Sequence, residues 1–134
     1  MHFSLSLLLA ASSTLLSGIT ASPVKNESLE PRQGCTFWAR TIDVWHEDGM
    51  SRRRVSYGAS KDADWGYMGG KWREACDNCG GSCNNVGVYY HGAVGTWVVD
   101  SNEVLGVGGD GIHECNLKSF KEILGRELGC SDAS

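Results

Sequence analysis

Residues 76–83 hold three of the six cysteines of this chain, and this cluster constrains the fold more than any other feature. A cluster this dense is typical of a disulfide anchor, a metal knot or a redox site. An even number of cysteines in a small exported domain favours disulfides, because a core of this size is only marginally stable alone. We therefore predict that all of them are paired: Cys35, Cys76, Cys79, Cys83, Cys115 and Cys130.

The N-terminal residues indicate export. Residues 1–21 combine an apolar run with small residues at their end, as a secretory signal peptide does. Residues 22–32 contain both prolines of the chain and little that can be buried, so we interpret them as a propeptide. The apolar run is shorter than the roughly 18 residues of a membrane span, so we expect no such span. The prediction is one secreted, extracellular and monomeric domain over residues 33–134.

The charge balance excludes one class of partner. The sequence has 12 Lys and Arg against 16 Asp and Glu, a formal net charge of −4. Proteins that coat nucleic acid or anionic membranes through bulk charge are basic. We therefore expect no nucleic-acid partner that is bound through bulk charge.

Hydrophobic periodicity predicts a small α+β domain. Alternating residues predict strands, the first of them bulged near Arg40, at residues 35–46, 52–57, 85–91 and 96–99, with a further short strand allowed at 103–107. Asp48-Gly49 predicts the first hairpin turn. The expected fold is a small antiparallel sheet of four to five strands, covered by two helices and stabilised by disulfides.

Two helices follow from the spacing of apolar residues. One is predicted over residues 71–79, and the other begins at Asn116, which can act as its N-cap. The glycines of residues 58–70 make a helix costly there, so we predict a loop. Residues 106–111 match the dinucleotide-binding pattern G-x-G-x-x-G without its strand and helix context, so we predict a flexible loop there too.

Helix length restricts the disulfide pairing. Cys115 and Cys130 flank the last predicted helix, and an unbroken helix holds them about 20 Å apart, whereas a disulfide requires Cα atoms within about 7 Å. These two cysteines therefore cannot pair. Local pairs within the cluster are less favoured. We predict that each clustered cysteine bonds to one of Cys35, Cys115 and Cys130, in an order that the sequence leaves open.

The metal and redox interpretations of the cluster are weaker. A metal site would add His91 or His113 to the clustered thiolates, but thiolates rarely stay reduced in exported proteins. A redox Cys-x-x-Cys normally opens a helix, which lowers the thiol pKa, whereas this one ends a predicted helix. We predict no metal and no cofactor.

One candidate catalytic set can be assembled. A metal-free phosphodiesterase needs a general base, a general acid and a cation for the phosphorane. His91, His46, Glu47 and Arg54 supply these groups if their strands adjoin. The simpler interpretation is that they are ordinary polar faces of strands and turns. Residues 52–54, all arginine, are interpreted as a solvated strand face, with a basic patch or a second processing site as alternatives.

Three aromatic residues near the cluster form a candidate binding platform for a carbohydrate or a protein: Trp65, Tyr67 and Trp72. Large aromatic side chains in a domain of this size more often lie in the core. The platform is therefore a hypothesis that burial can test.

The signal peptide, the propeptide ending at Pro31-Arg32, and the cysteine-rich domain together resemble the small secreted cysteine-rich proteins of filamentous fungi. That group includes host-directed effectors that act in virulence and killer-toxin-like proteins, some with α+β folds. The resemblance implies an effector or toxin-like protein that binds a host or competitor protein or glycan, rather than an enzyme. The alternative is a small secreted hydrolase, a ribonuclease first among them. An enzyme should place His91 or His113 in a cleft within reach of a carboxylate or an arginine.

Overall fold

The computed structural model describes residues 34–81 and 83–134, so the predicted signal peptide and propeptide lie outside the described residues. The elements alternate between strand pairs and helices. In chain order they are β1 (Thr36–Glu47), β2 (Met50–Ala59), α1 (Trp65–Gly70), α2 (Trp72–Asn78), β3 (Asn84–His91), β4 (Thr96–Glu103), α3 (Val107–Leu128) and β5 (Ser131–Asp132).

The five strands form one sheet in the order β3-β4-β2-β1-β5. All neighbours are antiparallel except β1 and β5, which pair in parallel over two residues of each strand. Asp48 and Gly49 have the positive φ angles, 51° and 76°, that the predicted β1-β2 turn requires. The α+β class and the disulfide stabilisation are confirmed, and β5 makes the sheet mixed.

The three helices pack against one face of the sheet, which we call the inner face; the opposite side is the outer face. The core lies between them and contains mainly large apolar side chains with at most a few per cent of their surface exposed: Phe37, Val55, Tyr57, Trp72, Val99, Phe120, Ile123 and Leu124. Each such side chain contributes about 1.5–3 kcal/mol through burial. Side chains alternate between the two faces along each strand, so every strand also presents residues away from this core.

Two helical segments differ from the prediction. Helix α1 occupies part of the predicted 58–70 loop, and the Asp64 side chain caps it by accepting a hydrogen bond from the Tyr67 backbone N–H at 3.0 Å. Helix α3 begins at Val107, so residues 107–111 are helical rather than a loop, and no separate strand follows β4, which ends at Glu103. Asn116 consequently lies inside α3 and is buried, and the prediction that it caps the helix was wrong.

All six cysteines are paired, as Cys35–Cys130, Cys76–Cys83 and Cys79–Cys115. The prediction that Cys115 and Cys130 do not pair with each other is confirmed. No thiolate remains for the metal or redox site considered from the sequence.

The prediction that every clustered cysteine bridges to a distant one was wrong. Gly80 and Gly81, with φ angles of 99° and 73°, reverse the chain after α2 and bring Cys76 and Cys83 to a Cα separation of 5.8 Å. Cys130 does not pair with the cluster because Gly129, at φ 64°, turns the chain after α3 so that β5 runs beside β1. Cys130 then lies next to Cys35, at a Cα separation of 4.8 Å.

Within the described residues, no helix is both long and apolar enough to cross a membrane.

Candidate functional site

The outer face of the sheet contains a cavity with a volume of about 390 Å³, which we call the outer-face cavity. No helix covers this side of the sheet in the described part of the chain. The cavity combines charged, polar and apolar side chains, and its lining residues are Arg40, Ile42, Asp43, Arg54, Ser56, His91, Val94 and Thr96.

Strand pairing explains why these residues meet. Arg54 of the central strand β2 lies directly opposite Asp43 of β1 on one side and Asp100 of β4 on the other. Cross-strand partners share a face, so all three side chains point outward. A β-bulge between Thr41 and Asp43 shifts the register of β1 at this point and sets which residues of β1 face Arg54.

Arg54 is held by a bidentate ion pair. Its Nε and Nη2 atoms donate to the two carboxylate oxygens of Asp100 at 2.8 and 2.9 Å. Nη2 also donates to the Tyr89 hydroxyl at 2.7 Å, and the guanidinium lies 4.9 Å from the Trp45 ring centroid. The hydrogen bond to Asp100 raises the pKa of Arg54, so this guanidinium stays charged. Paired Arg–carboxylate geometry of this kind fixes a side chain more firmly than a single bond.

His91 is the fourth member of this arrangement. The remaining terminal nitrogen of Arg54, Nη1, lies 3.0 Å from His91 Nε2. A guanidinium can only donate, so Nε2 is the unprotonated ring nitrogen in this contact. His91 is half-buried and lines the outer-face cavity. A histidine in a cavity within hydrogen-bond reach of an arginine is the geometry that the hydrolase alternative requires.

The other two members of the candidate catalytic set lie elsewhere. His46 pairs with the buried Ser51 of β2 and so projects to the opposite face of the sheet from Arg54 and His91. Glu47 shares the outer face but lies at the hairpin end of β1, where its carboxylate is 3.3 Å from Arg52 Nε. The structure therefore brings together His91 and Arg54, and it leaves His46 and Glu47 apart from them.

The other candidate histidine, His113, belongs to a buried polar network on the inner face. Its Nδ1 lies 3.1 Å from Oε1 of Glu103, which is fully buried, and its Nε2 lies 2.6 Å from the Thr41 hydroxyl. The second carboxylate oxygen of Glu103 lies 3.0 Å from Arg53 Nε, and Arg53 also bonds Asp110 of α3. Buried charges persist only when they are paired in this way. The network fastens the first half of α3 to the sheet.

These contacts also decide how the arginine run must be interpreted. Arg53 is 8% exposed and lies under α3, so the interpretation of the whole run as a solvated face was wrong. Strand β2 is paired along this stretch with both β1 and β4. The peptide bonds at residues 52–54 are therefore enclosed in the sheet, which does not fit a second processing site.

A second concave site, which we call the aromatic cleft, has a volume of about 320 Å³. Four partly exposed aromatic side chains dominate its lining: Trp38, Trp65, Tyr90 and Trp97. Between them lie smaller or buried residues, which are Tyr57, Gly58, Ala59, Gly95 and Thr96.

Close packing fixes the rings of the aromatic cleft. Trp38 lies against the backbone of Gly58, where an added Cβ would be 2.4 Å from Trp38 Cζ2. The rings of Tyr90 and Trp97 contact each other edge to face, with centroids 6.3 Å apart. The Tyr57 hydroxyl donates to the Trp65 carbonyl at 2.8 Å, which fixes the start of α1. The cleft is therefore held in shape by its own contacts.

The three aromatic residues chosen from the sequence have different positions. Trp72 is fully buried and its Nε1 donates to the Ser101 hydroxyl at 3.0 Å, so the inclusion of Trp72 in a binding platform was wrong. Tyr67 is 55% exposed and lies beside Lys71, outside the lining of the cleft. Only Trp65 lines the aromatic cleft. Tyr90 and Trp97, which the sequence analysis missed, are directly opposite each other in the β3-β4 hairpin.

In residues 34–81 and 83–134, no group of three or more His, Cys, Asp or Glu side chains is placed to hold a metal ion. The chain matches no family model, no curated protein and no solved structure. Its function is therefore inferred from these two sites and from the sequence.

Proposed function

We propose that this chain is a secreted effector or toxin-like protein of a filamentous fungus, and that it acts by binding a host or competitor glycan in the aromatic cleft. The observation that carries the proposal is the grouping of four partly exposed aromatic rings around one concave site. Exposed aromatic side chains that line a cavity are typical of ligand sites, because isolated aromatic residues are normally buried in a small domain.

The chemistry of the cleft suits a sugar ring. The axial C–H groups of a pyranose form an apolar face that stacks on indole and phenol rings, while its hydroxyls need polar partners at the rim. Trp38, Trp65 and Trp97 supply ring surface, and the 56% exposed Tyr90 supplies both a ring and a hydroxyl. A site of this kind is mostly apolar with a few polar groups, as small-ligand sites are.

The covalent framework supports action outside the cell. Three disulfides stabilise the fold, and such bonds form and persist in oxidising compartments. Together with the predicted signal peptide, they favour an extracellular protein, which meets glycans on cell walls. The binding mode needs no cofactor and no partner subunit.

The proposal is tested by titrating the purified protein with soluble cell-wall oligosaccharides (chitin, β-glucan and mannan fragments) and measuring tryptophan fluorescence and heat of binding. Trp65→Ala should weaken binding of the active oligosaccharide by at least about tenfold, which corresponds to about 1.4 kcal/mol. Tyr67→Ala is the matched control, because Tyr67 is an exposed aromatic residue of the same helix outside the cleft. Absence of binding by every oligosaccharide, or equal losses in the two variants, would overturn the proposal.

A further inference from the structure

The outer-face cavity carries groups that glycan binding in the aromatic cleft does not use. We propose that this cavity is a second site, which binds a phosphodiester of single-stranded RNA and cleaves it by transfer to the adjacent 2′-hydroxyl, with His91 as the general base. The inference is independent of the glycan proposal, since the two sites share only the strand residue Thr96 in their linings.

The reaction requires a general base, and His91 can supply it. Its Nε2 faces the Nη1 of Arg54 at 3.0 Å and is therefore an unprotonated nitrogen with a lone pair. Arg54 itself is immobilised by Asp100 and Tyr89, so it fixes the direction of the His91 ring. A general base must have both a lone pair and a fixed direction. In the free protein Arg54 therefore holds His91 Nε2 in a fixed direction toward the cavity, and its Nη1 is released to the substrate when the substrate binds.

The phosphate also requires a cation in the cavity. The charge of Arg54 is already balanced by Asp100. Arg40 lines the same cavity, is exposed, and forms no ion pair with any residue that the structure describes. Asp43 also lines the cavity, and its carboxylate repels a phosphate, so binding depends on a cation whose charge is not already balanced. Arg40 is therefore the group that can bind the phosphate oxygens and stabilise the phosphorane.

The reaction is a transesterification. On binding, the 2′-hydroxyl takes the place of Arg54 Nη1 at His91 Nε2, and the released N–H donates to a phosphate oxygen. The hydroxyl proton moves to Nε2 while the 2′-oxygen bonds to phosphorus and the bond from phosphorus to the 5′-oxygen breaks. The departing oxygen takes a proton from water, and His91 returns its own proton to the hydroxide that remains. The products are a 2′,3′-cyclic phosphate and a 5′-hydroxyl.

The negative net charge does not oppose this inference. Bulk positive charge is needed for binding many phosphates at once, whereas a site for one phosphodiester needs one or two local cations. Trp45 stacks on the guanidinium of Arg54 and extends the outer face with an aromatic surface, on which a base can also stack. Single-stranded RNA offers both an unstacked base and the 2′-hydroxyl.

The test is incubation of the disulfide-intact protein with a labelled single-stranded RNA in the presence of a metal chelator, followed by mass analysis of the ends. We expect fragments with 2′,3′-cyclic phosphate ends, and we expect a DNA strand of the same sequence to stay intact because it lacks the nucleophile. His91→Gln should lower the cleavage rate by about 10²–10⁴-fold, because glutamine can still accept the bond from Arg54 but cannot take a proton.

Matched controls separate catalysis from folding and from contamination. His46→Gln changes an exposed histidine on the opposite face and should keep the wild-type rate. Arg40→Gln should lower the rate by at least about tenfold, whereas Arg73→Gln, an exposed arginine of α2, should not. The proposal would be overturned if wild-type protein with the circular dichroism spectrum of a folded protein left the RNA intact. It would also be overturned if the wild type and His91→Gln cleaved the RNA at equal rates. Trp65→Ala should still cleave RNA, so failure of the glycan proposal would be seen separately.

Discussion

Two neighbouring glycines of α1 should respond in opposite ways to the same substitution. Gly69 is buried, and a Cβ placed on it would lie 2.0 Å from the Tyr57 hydroxyl oxygen and 2.5 Å from Val88 Cγ1. Gly70 is exposed, and a Cβ placed on it would contact nothing within 4 Å. We predict that Gly69→Ala destabilises the protein and that Gly70→Ala does not.

The magnitudes follow from the contacts. Alanine gains about 1 kcal/mol over glycine in a helix, and this gain is available at both positions. At Gly69 the methyl group must displace Tyr57, a fully buried ring, at a cost of about 1–3 kcal/mol, and it must disturb the hydrogen bond from Tyr57 to the Trp65 carbonyl, at about 1 kcal/mol. The net expectation is a loss of about 1–3 kcal/mol for Gly69→Ala and a gain of up to about 1 kcal/mol for Gly70→Ala.

Urea unfolding followed by tryptophan fluorescence measures both variants against the wild type under conditions that keep the disulfides oxidised. The free energies of unfolding should differ by about 1–4 kcal/mol between the two variants, with no change in the slope of the transition. If Gly69→Ala proves as stable as Gly70→Ala, then the close contact among Gly69, Tyr57 and Val88 is not a feature of the folded protein.

Two further predictions concern the disulfides and pH. Replacing both Cys35 and Cys130 by alanine should lower the free energy of unfolding by about 4.7 kcal/mol, and replacing both Cys76 and Cys83 should lower it by about 2.4 kcal/mol, because the two bridges span 95 and 7 residues. A lower urea midpoint for the second variant than for the first would contradict this. Burial raises the pKa of Tyr57. Its contribution to stability is therefore complete below the unfolded value of about 10 and decreases above it, as the unfolded state ionises first. Between pH 8 and pH 11 the free energy of unfolding of the wild type should fall more than that of Tyr57→Phe. Equal decreases would show that burial does not raise the pKa of Tyr57.

The strands were predictable because their signals are local. Alternation of apolar residues located β1 to β4 and their hairpins, and Asp48-Gly49 has the chemistry that a tight turn demands. The bulge near Arg40 is confirmed by the register shift between Thr41 and Asp43. Helix α2 was predicted from the spacing of Trp72, which faces the core. Pattern and tertiary structure agree in these segments, so local reasoning was sufficient.

The glycine-rich helices were not predictable because their glycines serve tertiary packing. Local propensity counts each glycine as a cost of about 1 kcal/mol and therefore predicts loops. In the structure, Gly69 makes room for Tyr57, and a Cβ on Gly109 would lie 1.7 Å from the Val104 carbonyl oxygen. Only glycine allows these close approaches, so the same residues that disfavour the helices locally allow them to pack. The contacts join segments whose proximity the sequence does not reveal.

The outer-face cavity was predictable only in part. The sequence provided His91 and Arg54 as candidate residues, but their contact depends on the strand order β3-β4-β2-β1, which places β4 between β3, the strand of His91, and β2, the strand of Arg54. Periodicity assigns a residue to a face of a strand, yet it does not give the neighbours of that strand. His46 was grouped with Arg54 because its face relative to Arg54 depends on the pairing of β1 with β2 across the bulge, and that register places His46 on the opposite face.

The arginine run shows how one short segment of β2 organises both faces of the sheet. Successive side chains of a strand point to opposite sides, so Arg53 and Arg54 cannot share partners. Arg53 projects inward, where its ion pairs with Glu103 and Asp110 hold α3 on the sheet. Arg54 projects outward, where its pair with Asp100 aims Nη1 at His91. The inward bonds fix the backbone of β2, and a fixed backbone is what allows Arg54 to hold His91 in one direction. The buried network of the inner face thus helps to fix the positions of Arg54 and His91 in the outer-face cavity, although no side chain of the network lines that cavity.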